Sequence, residues 1–361
     1  MAPAKKPVGE LSRWSVVDTG LRSADENMAV DHALIAALAA GECGPTFRFL
    51  HFTDCALLGH HQSPQQELDL EFCAREGVQI QRRLTGGGAI IFDPSHLGWE
   101  LVCQRSDLPA GDMSLLAREI CEAAALGLRS MGIDARFRPR NDIEVDGRKI
   151  SGTGGIIDGQ VVLFQGTVLI DLDIPRMLQV LRVPAEKLDA HAIQSVAERV
   201  TSLRTLLGRI PAKDEVKRAL LQGFQQYFGW DLQDAPLPAT VSTRLEEFLA
   251  IVRDPEWLNL QDRPSSEQPL LQAVHRSTGG TLRSSLLWDE RGRRIRQITF
   301  SGDFFLQPRR ALVDLEAALR NSHIDDLPNI VERWYVDTPV DASGLLPQDF
   351  VAVVREALAC V

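Results

Sequence analysis

The sequence predicts an α+β protein of more than one domain, from the spacing of its apolar residues and from its length. Segments with apolar residues at three- and four-residue steps, typical of amphipathic helices, are interspersed with short apolar segments typical of strands. With 361 residues the chain is long enough for two or three domains. A polar, proline-bearing segment at residues 260–269 is the predicted boundary, which divides the chain into residues 1–262 and 263–361.

Before this boundary, helices and strands are predicted in turn. The predicted helices are residues 27–41, 68–76, a helix that begins at Asp112 or Ser114 and ends at Gly132, and residues 175–181, 211–228 and 242–253. In the first of them, Met28, His32 and Ile35 recur at helical steps among alanines. The predicted strands are residues 47–52, 56–59, 78–80, 89–92, 97–102 and 161–171.

After the boundary, a smaller α+β unit is predicted. Strands at residues 281–288 and 295–300 flank a turn at residues 289–292. Helices follow at residues 309–321 and 347–360. Residues 1–10, at the other end of the chain, are predicted to be a loose arm.

The composition is that of a globular protein and argues against some partners. Hydrophobic residues make up 44% of the chain, and the net charge is -10. General binding to nucleic acids or anionic membranes is not expected, because such partners need a basic surface that neutralises phosphates. No apolar run follows the N-terminal residues, so we expect no signal peptide, no transmembrane span and a cytoplasmic location.

Two other residue types carry weaker signals. The six cysteines are scattered without a C-x-x-C pair, which indicates buried reduced thiols rather than a disulfide framework or a zinc site; they are Cys43, Cys55, Cys73, Cys103, Cys121 and Cys360. Cys103 is the one closest to a motif, so a nucleophilic role stays open for it. The adjacent His60 and His61 point apart on a strand and lack a carboxylate at ligand spacing, which favours a structural role.

The most informative stretch is residues 81–93, QRRLTGGGAIIFD, which places two arginines and a threonine before three glycines. Glycine has no Cβ, so this turn can bring consecutive backbone N–H groups close to a ligand. The arginines add forked donors suited to phosphate or carboxylate. The spacing is neither that of a P-loop nor that of a dinucleotide-binding motif. The alternative is a glycine-rich hairpin with two solvated arginines.

A second constellation surrounds Lys149. A hairpin turn is predicted at residues 146–147, so that Ile143 and Val145 face Lys149 and Ser151 in paired strands. Further on, the glycine of residues 165–167 interrupts an apolar strand, which usually marks the close approach of a ligand or of another backbone.

Together these features suggest one pocket built from several strands. Arg82 or Arg83 and Lys149 would supply positive charge, and the N–H groups of residues 86–89 would add neutral donors. Such a site suits a phosphoanhydride or an acyl phosphate, because preorganised donors stabilise oxygens as charge moves. For Lys149 alone, a solvated lysine on a surface hairpin is the alternative.

Four ordered segments resemble the motifs of lipoate–protein ligases. They are residues 82–90, 140–143, 149–153 and 166–169, in the family's order and spacing. Residues 193–196 with 198–203 are similar to a further segment of the family, and residues 279–281 and 301–305 resemble the accessory domain of its long-form members. The resemblance implies a mixed β-sheet flanked by helices, the catalytic domain of biotin and lipoyl ligases, with a small α+β accessory domain.

The resemblance implies a reaction in two steps. Lipoate and ATP, with Mg²⁺, would form lipoyl-adenylate and pyrophosphate, and the acyl group would then pass to a lysine of a lipoyl carrier protein or domain. Lipoate or octanoate is the implied small-molecule substrate. Lys149 is the implied catalytic residue, which would stabilise charge electrostatically in both steps.

The resemblance also assigns binding residues. Those implied for ATP or the adenylate are Arg82, Arg83, Thr85, Gly86, Gly87, Gly88, Ala89, Ile90, Ile91, Asn141, Asp142, Lys149 and Thr153. Those implied for lipoate are Arg83, Lys149, Gly152, Gln165, Gly166 and Thr167. Asp142 is the implied indirect Mg²⁺ contact, and an apolar slot for the lipoyl chain is expected from Leu57, Leu58, Ile90 and Phe164.

Two residues depart from the family pattern. Gln165 stands where the family commonly has histidine, and Gly154 stands where alanine is usual. Gln165 keeps hydrogen-bonding capacity but cannot take up a proton. Two alternatives therefore stay open. The first is a cysteine-dependent octanoyl- or lipoyl-transferase that needs no ATP. The second is a non-catalytic homologue that binds lipoyl carriers. A biotin ligase is disfavoured, because the chain lacks a Gly-Arg-Gly-Arg type of loop.

Overall fold

A computed structural model gives the fold and describes residues 13–182, 190–261 and 269–359. The predicted arm at residues 1–10 and the predicted boundary between residues 262 and 263 lie outside the described residues. No helix in these ranges is long and apolar enough to span a membrane.

Three sheets contain the strands. The strands are β1 Arg13–Arg22, β2 Thr46–Phe52, β3 Cys55–Leu58, β4 Gln79–Arg82, β5 Ile90–Phe92, β6 Leu97–Gln104, β7 Arg136–Arg138, β8 Asp142–Val145, β9 Arg148–Asp158, β10 Val161–Val168, β11 Asp231–Asp234, β12 Leu271–Ser277, β13 Gly280–Asp289, β14 Arg294–Phe304 and β15 Ser322–His323. The largest sheet has eight strands in the order β11-β1-β2-β6-β10-β9-β8-β7. β1 runs parallel to both its neighbours, whereas the remaining pairs are antiparallel, so the sheet is mixed.

Helices cover both faces of this sheet. The helices are α1 Ala24–Ala39, α2 Pro64–Glu67, α3 Leu70–Glu76, α4 Met113–Ser130, α5 Ile174–Val180, α6 Ala190–Ala197, α7 Leu203–Leu207, α8 Lys213–Phe228, α9 Ala239–Arg253, α10 Pro255–Leu258, α11 Arg310–Leu319, α12 Leu327–Asp337 and α13 Pro347–Leu358. α4 and α8 pack with β2, β6 and β10 in one apolar core, and α1 and α9 pack on the opposite face. The predicted mixed sheet flanked by helices is confirmed.

The helix ends follow local sequence signals. Asp112, one of the two predicted caps of α4, accepts a hydrogen bond from the N–H of Leu115. α3 ends as predicted at Gly77, whose φ of 68° is the left-handed conformation that glycine adopts readily. α1 begins three residues before its predicted start, where Ser23 and Glu26 form a capping box.

The C-terminal residues form an α+β region with its own core. Its sheet has the order β12-β13-β14-β15, and α11, α12 and α13 pack with it around a separate apolar cluster that includes Phe300 and Phe350. Only two helices were predicted after the boundary, and α12 is the third. The separate cores are consistent with the predicted division into two domains, which stays a prediction.

Two further predictions about elements need correction. The long strand β1, which borders the predicted loose arm, was not predicted at all. In the hairpin around Lys149, Ile143 pairs with Ser151 as predicted, but Val145 pairs with Arg148 and Lys149 pairs with Glu144. The difference arises from an irregularity in the ladder between Ile143 and Glu144, which shifts the register by one residue.

Candidate active site

The glycine-rich loop, residues 83–89, joins β4 to β5. These two strands do not pair with each other, because β3 lies between them, parallel to β4 and antiparallel to β5. The alternative of a glycine-rich hairpin is therefore wrong. Within the loop, Gly87 has a φ of 91°, a conformation that side chains disfavour.

Arg83 holds this loop in shape from the inside. Its Nη2 donates to the carbonyls of Gly86 and Gly88 at 2.7 and 2.8 Å, and its Nε donates to Thr85 Oγ1 at 3.0 Å. Its Nη1 donates to the carbonyl of Leu57. Burial lowers the pKa of Arg83 to about 10, against the opposing effect of Asp303. Arg83 also lines a cavity that lies between this loop and the large sheet. It therefore both supports the loop and forms part of the cavity wall.

Arg82 points elsewhere. Its side chain is fully buried and donates to the carbonyls of Gly59, His60, Trp257 and Leu258. It does not line the cavity, whereas Arg83, Thr85, Gly86 and Ile90 of the same motif do. Its contacts are those of a structural residue that ties the chain after β3 to α10.

A cavity lies between the glycine-rich loop and one face of the large sheet. Its floor is a row of mostly small residues across four neighbouring strands, namely Leu50 on β2, Gly98 on β6, Thr167 on β10 and Gly152 on β9. Thr167 Oγ1 accepts from the N–H of Gly152 at 3.2 Å. The cavity walls include the apolar Met28, Phe52, Leu57, Ile90, Phe92 and Trp99, and the polar Arg83, Thr85, Thr153 and Gln165.

The apolar slot predicted from the sequence is partly right. Leu57 and Ile90 line the cavity, whereas Leu58 packs in a small core against α3 and Phe164 packs in the large core and lines a second cavity. Alternation along the strands explains the errors, because neighbouring residues face opposite sides of a sheet. Ile91, next to Ile90, likewise packs with the core beside α3. Sequence reasoning missed Met28, Leu50, Phe52, Phe92, Gly98 and Trp99.

Lys149 is not among the residues that line either cavity, but its ammonium group lies beside Gly152, which does line the first cavity. Its Nζ is 2.7 Å from Asp142 Oδ1, and a Cβ placed on Gly152, a floor residue, would lie 2.7 Å from the same Nζ. A side chain at position 152 would displace the end of the lysine from this position. The N–H of Lys149 donates to the carbonyl of Arg199, and the N–H of Thr201 donates to that of Lys149. The predicted further motif thus contacts the lysine strand at residues 199–201.

Asp142 is poorly placed as a metal ligand in this arrangement. One of its carboxylate oxygens faces Lys149, and the other accepts from Arg138 Nη2 at 2.6 Å. In the described ranges, no group of three or more His, Cys, Asp or Glu side chains could hold a metal ion. A Mg²⁺ contact at Asp142 would require these ion pairs to break.

A second cavity adjoins the first at Gly154, which lines both. Asn141 and Arg140 line it on one side, α4 contributes Ser114 and Arg118, and Phe305 comes from the C-terminal region. Asn141 Nδ2 donates to the carbonyl of Thr153, and Thr153 Oγ1 donates back to the carbonyl of Asn141 at 2.8 Å. These mutual bonds join two of the predicted nucleotide-binding motifs.

The C-terminal region covers the glycine-rich loop. The N–H of Gly87 donates to the carbonyl of Phe304 at 3.0 Å. A Cβ on Gly86 would meet that carbonyl oxygen at 2.5 Å, and one on Gly88 would meet the Asp303 carboxylate at 2.9 Å. The three glycines thus admit close approach, and the groups that approach them here are the Phe304 backbone and the side chains of Asp303 and Phe305.

Gly166 also has an explanation different from the predicted one. A Cβ on Gly166 would lie 2.2 Å from the indole of Trp99, its cross-strand neighbour on β6. The glycine therefore makes room for a buried aromatic side chain on the core side of the sheet. Gly166 still contributes to the cavity wall.

A fully buried charged cluster lies behind the cavity. Arg48 Nη1 lies 2.9 Å from Asp31 Oδ1 and 2.9 Å from Glu100 Oε1, and none of the three side chains is exposed. Burial and the neighbouring Glu100 raise the pKa of Asp31 well above its usual range. Gln165 is the cavity residue that contacts this cluster, with its Nε2 donating to both carboxylates.

No described cysteine lines either cavity, although Cys121 Sγ lies 3.4 Å from Thr153 Oγ1, and Thr153 lines the first cavity. Cys55, Cys73, Cys103 and Cys121 are buried, and none of the five described cysteines is among the lining residues. Burial raises the pKa of the Cys103 thiol far above its usual range and that of Cys121 to about 12. A neutral buried thiol is a poor nucleophile.

His60 and His61 form no metal site with the described residues. Burial lowers the pKa of His61 to about 3, and its ring stacks on Phe304 at a centroid distance of 4.8 Å. The predicted structural role fits this contact between the N-terminal and C-terminal parts.

Comparison with known proteins identifies the family. The family model for the lipoyl protein ligase A/B catalytic domain matches residues 23–225. An octanoyltransferase LipM of Kyrpidia tusciae is 29% identical over 270 residues, which cover 68% of this chain and 98% of that protein. A lipoate-protein ligase A subunit 1 of Thermoplasma acidophilum is 28% identical over 234 residues, which cover 62% of this chain and 85% of that protein.

Solved structures agree with this result. A lipoate-protein ligase A crystallised with ATP has a TM-score of 0.60 and 25% identity, covering 69% of this chain and 98% of that one. LipL1 of P. falciparum, solved in complex with lipoate, shares the fold over 96% of this chain and all of its own, with a TM-score of 0.71 and 15% identity. The segment that matches the family model spans more than half of this chain. The chain therefore belongs to the lipoyl protein ligase A/B catalytic domain family.

Proposed function

We propose that this protein is a lipoate–protein ligase, which uses ATP to convert lipoate to lipoyl-adenylate and transfers the lipoyl group to a lysine of a lipoyl carrier protein. The observation that carries the proposal is the position of the Lys149 ammonium beside Gly152, a floor residue of an apolar cavity that no described cysteine lines. An acyl chain fits the apolar walls, and a carboxylate fits the lysine edge.

Lys149 would act in the first step as an electrostatic stabiliser. A lipoate carboxylate oxygen attacks the α-phosphorus of ATP, a bond to that oxygen forms, and pyrophosphate leaves. Both reactants are anionic, so a cation between them lowers the repulsion as they approach. Asp142, 2.7 Å from the Lys149 ammonium, would hold that cation in place.

The glycine-rich loop would bind the nucleotide only after a rearrangement. In this structure the Gly87 N–H is taken by Phe304, and Asp303 lies against Gly88. A phosphate at the same N–H groups requires that residues 303–305 move away. Asn141 and Arg140 in the second cavity offer further contacts to the nucleotide. Arg83, which uses four of its five N–H groups in hydrogen bonds to the loop and to Leu57, would preserve the shape of the loop.

In the second step the carrier lysine attacks the acyl carbon. The amine forms the amide bond, AMP leaves, and the amine releases a proton to solvent. Lys149 would again offset the negative charge that develops on the acyl and phosphate oxygens. Mg²⁺ would bind the phosphates of the nucleotide, and no protein residue is assigned as its ligand.

An octanoyltransferase reaction is the second candidate, because similar proteins carry that name. The cysteine-dependent form of this reaction needs a thiolate within reach of the acyl group. The burial of Cys103 and Cys121 argues against it in this chain.

The test is the intact mass of a lipoyl-domain carrier after incubation with the protein, Mg²⁺ and lipoate, with and without ATP. We expect a lipoyl adduct that requires ATP, and we expect Lys149→Ala to slow its formation by about 10²–10³-fold. Lys217→Ala, a lysine that pairs with Asp18, is the matched control and should leave the rate unchanged. A parallel incubation supplies an octanoyl-carrier thioester in place of lipoate and ATP. An adduct formed only in that incubation supports the transferase. No adduct in either incubation supports the non-catalytic homologue.

A further inference from the structure

Among the described residues, Gln165 is the cavity-lining side chain that hydrogen-bonds to the charged cluster behind the cavity. Asp31 lies on α1, Arg48 on β2 and Glu100 on β6, and all three are fully buried. Two carboxylates with one guanidinium are costly to bury, so each needs hydrogen-bond partners in a fixed geometry. Gln165 on β10 supplies two of these bonds, because it stands opposite Glu100 in the strand ladder.

The cluster fixes the orientation of the Gln165 amide. Nε2 donates to Asp31 Oδ2 at 2.6 Å and to Glu100 Oε2 at 2.8 Å, which uses both N–H groups. The reverse orientation would place a carbonyl oxygen against at least one ionised carboxylate, even with a proton on Asp31. The Oε1 acceptor must therefore point away from the cluster, toward Thr85 and the cavity.

A chain of hydrogen bonds continues from Gln165 into the glycine-rich loop. Thr85 Oγ1 donates to Gln165 Oε1 at 3.4 Å, the longest link, and accepts from Arg83 Nε at 3.0 Å. Arg83 in turn binds the carbonyls of Gly86 and Gly88. Every donor and acceptor along this path has one consistent direction, so the acceptor on Gln165 determines where the Thr85 hydroxyl proton points.

We propose that Gln165 is a positioning residue, which the carboxylates of Asp31 and Glu100 hold in place so that it fixes Thr85 and, through Thr85, the Arg83-bound form of the glycine-rich loop. Its importance for ligation rests on the proposed function, but its effect on the loop does not. The role explains why a residue that cannot take up a proton serves at this position, since only an oriented acceptor is required.

The experiment is hydrogen exchange, by mass spectrometry without nucleotide, of peptides that cover residues 83–92. The variants are Gln165→Met, which keeps the volume and removes the hydrogen bonds, Thr85→Ala, and the double variant. We expect each single variant to speed exchange of this loop by about fivefold, the effect of one lost hydrogen bond. The double variant should exchange no faster than either single variant, because both break the same path. Thr85→Ser, which keeps the hydroxyl, should restore protection.

Two results would overturn the proposal: a loop unaffected by Gln165→Met, or effects of the two substitutions that multiply to about 25-fold. Unchanged exchange in peptides of α4 is the control for global unfolding. If Gln165→Met does not fold, Glu100→Gln removes one of the carboxylates that hold the amide, and the same comparison with Thr85→Ala applies.

The carrier assay on the same variants separates the two proposals. With a competent wild type, a positioning role predicts that KM for ATP rises more than kcat falls, since the loop must then be ordered on binding. If the wild type forms no adduct but the exchange results are as expected, the proposed function fails and the role of Gln165 stands.

Discussion

A Cβ placed on Gly154 would lie 3.0 Å from the ring of Phe305, 151 positions further along the chain. The same ring lies against Gly87, and the carbonyl of the preceding residue, Phe304, binds the Gly87 N–H. Phe305 therefore fits only because both strand β9 and the glycine-rich loop present glycine there. The departure from alanine at position 154 is matched by an aromatic residue of the C-terminal region.

We expect Gly154→Ala to weaken the packing of Phe305 against the glycine-rich loop. The added methyl group forces the ring to shift, and overpacking of this kind costs about 1–3 kcal/mol. Urea denaturation, with limited proteolysis around residues 303–307, would measure the effect. Phe305→Ala in the same protein should remove the clash, so the double variant should lose less stability than the two single losses added together. Strict additivity would contradict a direct contact.

Arg82→Met tests whether the first arginine of the motif is structural. The substitution leaves the buried carbonyls of Gly59, His60, Trp257 and Leu258 without their guanidinium donor. Buried acceptors without partners are expensive, so we expect a loss of about 3–5 kcal/mol in the free energy of unfolding, measured by urea denaturation. The folded fraction of the variant should keep its affinity for ATP. A variant with normal stability and no affinity for ATP would show instead that Arg82 binds the nucleotide.

Cys103→Ala distinguishes the two candidate reactions. Cys103 is fully buried in the core between β6 and α4, so the substitution should cost about 1 kcal/mol of stability through lost packing. The rate of carrier lipoylation should change by less than about twofold, because Cys103 does not line the cavity and its loss leaves the cavity intact. Cys121→Ala is the matched control in the same core. Loss of acyl transfer in a folded Cys103→Ala variant alone would favour the transferase.

Local signals in the sequence were enough to predict the positions of the main motifs. The glycines of residues 86–88 admit close contacts, as their lack of side chains indicated, whereas the position of Lys149 beside Gly152 was not predicted. The direction of neighbouring side chains was harder to predict. Arg82 and Arg83 are adjacent, yet one binds the carbonyls around α10 and the other those of the loop, because β4 ends at Arg82 and the loop begins at Arg83.

Contacts between distant segments could not be predicted from periodicity. Asp31 lies three residues after Met28 and four before Ile35, so it falls on the apolar face of α1, and the pairing of β2 with β6 places Arg48 and Glu100 side by side next to it. Phe305 likewise contacts Gly154 through the packing of two separate cores. Such pairs depend on tertiary structure, and no local rule specifies them.

Glu316 on α11 predicts a pH dependence of stability. Burial raises its pKa from 4.5 to about 7, although the N–H of Phe300 donates to it at 2.7 Å and opposes the shift. Below pH 4.5 the carboxyl group is protonated in both states, and its contribution to stability is fully present. Between pH 4.5 and 7 the unfolded chain releases this proton while the folded chain keeps it, so stability falls as the pH rises.

Glu316→Gln should remove this loss, since the amide carbonyl can still accept from Phe300 and has no proton to release. We expect the variant to exceed the wild type in unfolding free energy at pH 8 by up to about 3 kcal/mol, and the gap to close toward pH 4. Urea denaturation across this pH range measures the difference, with Glu332→Gln on the exposed side of α12 as the control. A gap that is independent of pH would show that Glu316 ionises at its ordinary pKa.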